Sequence, residues 1–211
     1  MCLICIMYIG DLKTGDLLLF DERPTNCCLN LLDSCIKCCT RSSYSHAAIV
    51  IRDPCWMDEK GLFVWESSYH GTPDPQDDIV KFGVQLTPLS LYTDGSQETT
   101  KLYVRRCRSG ASRLFTDKKL RLIHETAYKK VYDINPMDWL EAWTSIPLHR
   151  RTTKRFFCSA FVAFAFTRLG ILDKDSNWTM VSPADLSSRR SNSVVKWNIP
   201  FSDDCRVVFW N

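Results

Sequence analysis

This chain lacks a strong charge of either sign. Its 27 Lys and Arg against 24 Asp and Glu leave a net charge of +3 and a pI near 8.3. That balance is too mild to imply nucleic acid as a partner. No basic stripe is interleaved with aromatics, as a single-strand binder would need. No residue run repeats. The apolar opening of residues 1–9 lacks a charged leader and a small-residue cleavage site, so it does not read as a secretory signal. It is also too short to span a bilayer, and is expected to form a first strand or an N-terminal flap.

What is present is ordinary for a globular protein: 45% apolar and 24% charged residues over 211 positions. That length predicts a single domain over 1–211, and a last apolar run predicts a closing strand at 206–210. The eleven cysteines are odd in number, and the chain is not small. Reduced thiols and a cytoplasmic location are therefore expected. Five cysteines cluster at Cys27, Cys28, Cys35, Cys38 and Cys39. Cys35 and Cys38 have zinc-like spacing, and a module with Cys39 is conceivable, but no second pair follows. Acylation is a further alternative. Packing as small hydrophobes on an amphipathic helix over 26–40 is the preferred reading, and no metal or organic cofactor is expected.

Hydrophobic periodicity predicts strands at Leu17–Phe20, from His46 to about Arg52, at Leu62–Glu66, at Lys101–Arg106 and at Arg206–Trp210. Alternation puts His46, Ala48 and Val50 on one face of the second of these. Helices are predicted over 116–128, with Leu120, Ile123, His124 and Ala127 on one face, and from Cys158 to Gly170. Residues 133–154 read as a long connection with a short helix at 139–143. Without a strict strand–helix alternation, the class is α+β.

Two features point to chemistry. Cys158 opens a strongly apolar helix, where the macrodipole favours a thiolate. His46 opens a buried strand and is the candidate base. Glu66 shares a strand face with Leu62 and Val64, where an unpaired carboxylate would be costly, so it is the candidate orienting acid. The other histidines read as less suited. His70 lies in a Gly/Pro loop, while His124 and His149 read as surface or structural residues. A solvated loop is the preferred reading of the basic stretch 149–155. An anionic substrate or peripheral membrane contact is the alternative.

The ordered set Gly-Asp-Leu-Leu-Leu-Phe20, Tyr-Ser-His-Ala-Ala-Ile-Val50, Val-Trp-Glu-Ser67, Tyr-Asp-Ile-Asn135 and Phe-Phe-Cys-Ser-Ala-Phe-Val162 resembles the circularly permuted, NlpC-type papain-like cysteine hydrolases. That superfamily includes bacterial permuted hydrolases, lecithin–retinol acyltransferase-like enzymes and papain-like proteins of poxviruses, so a viral source is compatible. The segment Ser182-Pro-Ala-Asp-Leu186 is similar to the family's post-helix stretch. The resemblance covers a core at about residues 10–186 and implies a permuted papain-like fold, with an antiparallel sheet packed against the helix that carries the nucleophile. It implies a Cys158–His46–Glu66 triad acting on an acyl, peptide-like or lipid substrate. Amide hydrolysis is the first expectation. Lipid acyl transfer, phospholipase or thioesterase activity is the alternative, and a catalytically silent binding protein the second alternative. Tyr132 and Ser159 are the accompanying oxyanion or substrate candidates. Many relatives carry Cys-Ser-Glu where this chain has Cys158-Ser159-Ala160, which weakens inference about substrate.

Overall fold

The computed structural model describes residues 6–21, 42–93, 101–107, 111–128, 131–132 and 155–208. In chain order these form β1 (Ile6–Tyr8), β2 (Leu17–Asp21), β3 (His46–Arg52), β4 (Leu62–Ser68), β5 (Gly83–Pro88) and β6 (Lys101–Arg105). Helix α1 (Asp117–Ala127), β7 (Val131–Tyr132), β8 (Arg155–Phe156), helix α2 (Cys158–Leu169) and β9 (Cys205–Val208) follow. The nine strands make one sheet in the order β1-β9-β6-β2-β3-β4-β5-β7-β8.

The class is α+β, but the sheet is mixed rather than antiparallel. Its central strands pair antiparallel, whereas β1 with β9 and β7 with β8 are parallel. The two-residue strands β7 and β8 are too short to leave a periodic signal. Strand β5 was also not predicted, because Gly83-Val-Gln-Leu-Thr-Pro88 offers only Val84 and Leu86 as apolar positions. It nonetheless pairs along β4 from Gly83 to Pro88, with Gln85 and Thr87 buried. The predicted helices at 26–40 and 139–143, the Cys27–Cys39 cluster and His149 lie outside the described residues. So does the basic stretch, apart from the backbone of Arg155.

Both faces of the central sheet are covered, so Leu17-Leu18-Leu19-Phe20 is buried without alternation. One face carries Leu17, Leu19, Ala47, Ile49, Trp65 and Leu86, and packs against α1 and α2. Helix α2 is apolar almost all round, as a helix enclosed on every side must be. Its Phe161 meets Trp65 edge-on with ring centroids 5.0 Å apart. Gly170 ends α2 in the left-handed conformation, at φ 77°. The other face carries Leu18, Phe20, Ala48, Val50 and Val64, under Leu12, Leu89 and Tyr92. Among the described residues no helix is long and apolar enough to cross a membrane. Cys55, Cys107 and Cys158 are free thiols. Cys205 is disulfide-bonded, which corrects the expectation of uniformly reduced cysteines at that position.

Candidate active site

The site forms where β3 begins and β4 ends, which is one end of the sheet because the two strands run antiparallel. His46 is the first residue of β3 and pairs with Phe20 of β2. The Phe20 ring lies 5.0 Å from the imidazole and 4.9 Å from the Tyr92 ring, walling the site on its apolar side. Glu66 is fully buried on β4, on the same sheet face as Val64. Its Oε2 lies 2.5 Å from His46 Nε2. So close an approach to a carboxylate puts a proton on Nε2, leaving Nδ1 as the nitrogen that can serve another group.

That other group is Cys158. Helix α2 starts at this residue, which places the thiol close enough for its charge to act on the His46 ring. Cys158 is buried, with 3% of its surface exposed. The N-cap residue, Phe157, has no side-chain oxygen to satisfy the first-turn N–H groups. The first turn is anchored instead by Ser159, whose Oγ donates to the Val181 carbonyl at 2.6 Å. The Ser159 hydroxyl is therefore committed to holding the helix, and its proton is not directed at a substrate. The second oxyanion candidate, Tyr132, is the last residue of β7, whose Val131 pairs with Gly83. The Tyr132 side chain lies outside the described residues.

Burial alone would lower the pKa of His46. The neighbouring Cys158 and Glu66 outweigh it by charge and hydrogen bonding, and hold the imidazolium well above its usual 6.5. Burial alone would raise the pKa of Glu66, yet His70 and His46 hold it well below the usual carboxylate range. The structure thus brings Cys158, His46 and Glu66 together, with His46 hydrogen-bonded to Glu66 and under the electrostatic influence of Cys158.

Two further residues, one passed over as a candidate base and one in no motif, complete the surroundings. His70, predicted to be a loop residue with nothing to fix it, does follow the end of β4. Its Nε2 nevertheless lies 3.0 Å from Glu66 Oε1 and 2.8 Å from Tyr92 Oη. Tyr92 Oη in turn donates to the Glu66 carboxylate, lying 2.9 Å from each oxygen. No local signal pointed to His70, since a four-residue step brings side chains together on a helix and not along a strand, and Tyr92 belongs to no motif. His124 is buried, not a surface residue, and stacks on Trp56 with ring centroids 4.4 Å apart, away from Glu66. Among the described residues no group of three or more His, Cys, Asp or Glu could hold a metal ion. No protein-family model matches the chain, and no curated protein matches it.

Proposed function

We propose that the protein is a cysteine hydrolase of the permuted papain-like type that cleaves an amide bond through a thioester. The observation that carries this reading is a buried imidazole hydrogen-bonded to a buried carboxylate, with a thiol at a helix N-terminus close enough to act on its charge. Cys158 transfers its proton to His46 Nδ1, and Glu66 stabilises the imidazolium through Nε2–H. The thiolate attacks the substrate carbonyl, and the resulting oxyanion accepts hydrogen bonds from uncapped N–H groups at the start of α2. Collapse breaks the C–N bond, and the imidazolium protonates the departing amine. His46, now neutral, takes a proton from water as the oxygen attacks the thioester. Breaking the C–S bond releases a carboxylic acid and restores the thiol.

A second reading, lipid acyl transfer, is favoured by apolar residues exposed after the site strand. Tyr69, Ile79, Val80 and Phe82 are 53%, 50%, 46% and 38% exposed, and Tyr69 and Phe82 touch edge-on. Such a surface suits an acyl chain. Incubation with a phospholipid donor and an amine acceptor separates the two readings. Acyl-Cys158 that delivers its acyl group to the amine rather than to water supports the second.

Thiol labelling tests both without knowledge of the substrate. Burial pushes Cys107 up to about 11, and burial with the Asp117 charge raises Cys55, so both remain thiols at acid pH. With iodoacetamide at about pH 6, Cys158 should react at least ~10-fold faster than these two thiols. His46→Ala should remove most of that advantage. Labelling of Cys158 no faster than Cys55, or unaffected by His46→Ala, would favour a catalytically silent binding protein.

A further inference from the structure

Glu66 is shared. A triad of the kind proposed above needs one imidazole on its carboxylate, whereas here two imidazoles and a phenol converge on it. The distances determine where the protons lie. If His70 Nε2 were unprotonated, its lone pair would face a carboxylate oxygen 3.0 Å away. Nε2 therefore carries a proton, in either the neutral ring or the imidazolium. It then has no lone pair for the Tyr92 proton, so the phenol must give that proton to Glu66. The carboxylate accepts from three donors, which lock its rotamer, and a fully buried carboxylate has no water to replace them.

The same arrangement couples the two histidines electrostatically. The largest charge effects on Glu66 come from His70 and His46, and the largest on His46 from Cys158 and Glu66. When His70 is neutral, the full carboxylate charge supports the His46 imidazolium. When His70 gains a proton, part of that charge is neutralised. The His70 side chain is 17% exposed, against full burial of Glu66, so it can exchange protons with solvent.

We propose that His70 and Tyr92 are positioning residues for the Cys158–His46–Glu66 site, and that protonation of His70 weakens the support Glu66 gives to the His46 imidazolium. The role rests on the hydrolase reading, since it concerns how that site is held and charged. Neither residue need touch the substrate.

The test is histidine-ring NMR titration on the full chain, which has only four histidines to assign, run alongside the pH profile of Cys158 alkylation. His70→Asn keeps an N–H donor for Glu66 but cannot carry charge. It should move the His46 midpoint upward by about one pH unit, the scale expected on removing a nearby charge from a buried site. Tyr92→Phe, which removes one donor and no charge, should slow alkylation with a smaller change of midpoint. A folded His70→Asn protein with an unmoved His46 midpoint overturns the proposal. Should the variants not fold, the wild type still decides. Each ring's signal should show a second inflection as the other titrates, and independent single titrations overturn the coupling. Unselective labelling of wild-type Cys158 sinks the hydrolase reading and this role with it. Selective labelling with an unmoved midpoint sinks only the role of His70.

Discussion

At the scale of single residues, Glu66 carries the most consequences. Three donors point at its two oxygens, and a glutamine in its place would offer one acceptor oxygen and turn an NH2 group toward a donor. Glu66→Gln should therefore lower turnover by ~10³-fold, as expected when an imidazole loses its anionic partner but keeps its place. The same substitution has a signed pH signature. The folded-state pKa of Glu66 lies below its unfolded value, so its stabilisation is complete above the ordinary glutamate range and is lost as pH falls through the depressed value. His46 is shifted upward, so its contribution is complete below pH 6.5 and is lost as pH rises through its folded value. The melting-temperature gap between wild type and Glu66→Gln should be widest near pH 6 and close as acid protonates Glu66. An equal gap at pH 6 and in strong acid would contradict this. His46 and Glu66 were legible in the sequence because each sits in a strand whose alternation makes an inward polar residue conspicuous. His70 was not, because Gly71 and Pro73 correctly mark a loop, and what fixes a loop side chain is tertiary.

At the scale of elements, helical periodicity proved the most legible signal. The residues predicted to share one face of α1, namely Leu120, Ile123, His124 and Ala127, are the ones the structure buries. What the pattern did not convey is the cost of a histidine there. His124 is buried, its Nδ1 has no hydrogen-bond partner among the described residues, and it stacks nearly parallel on Trp56. Burial first, then the charges of Lys81 and Arg121, lower its pKa to about 4. A folded-state pKa below the unfolded 6.5 means that stability is complete above pH 6.5 and is lost as pH falls toward 4. The loss should reach ~2 kcal/mol by pH 5, since the unfolded chain binds a proton that the folded one refuses. His124→Phe keeps the stack on Trp56 and removes the titration. Chemical denaturation at pH 7 and pH 5 should show the variant losing ~2 kcal/mol less than wild type over that interval. Parallel losses would mean that His124 titrates normally. Strand β5 illustrates the opposite limit of legibility. Gln85 is buried by a bond to Ser68 Oγ at 2.9 Å, and no local pattern reveals a polar residue satisfied by another strand.

At the scale of the whole molecule, the site depends on chain that returns from far along the sequence. The segment after α2 passes beneath the first turn at Val181, forms a short capped turn at Pro183–Leu186, and then meets Asp204. Asp204 Oδ2 accepts from Tyr44 Oη at 2.7 Å and Ser187 Oγ at 2.5 Å. Its Oδ1 accepts from the Ser188 backbone N–H at 2.8 Å, and Arg105 and Arg189 lie within ion-pair range. Tyr44 stands two residues before His46, so one buried carboxylate ties the end of the chain to the start of the base-bearing strand. This knot was invisible in the sequence, where Ser202-Asp-Asp-Cys205 reads as an ordinary polar loop. Removing Asp204 leaves a buried phenol and a largely buried guanidinium without their anion, the situation in which breaking a charge pair is most costly. Asp204→Ala should destabilise the fold by about 3 kcal/mol, roughly 10 °C in melting temperature for a chain of this length. Asp204→Asn, which keeps one acceptor oxygen, should lose less. Because Asp204 touches none of the three site residues, and its loss reaches them only through Tyr44 and the returning segment, Cys158 labelling should slow less in Asp204→Ala than in Glu66→Gln at a temperature where both are folded. A melting temperature for Asp204→Ala matching wild type would show that the polar knot does not hold the returning chain. The anchoring of β3 would then fall to the apolar core between the sheet and α2.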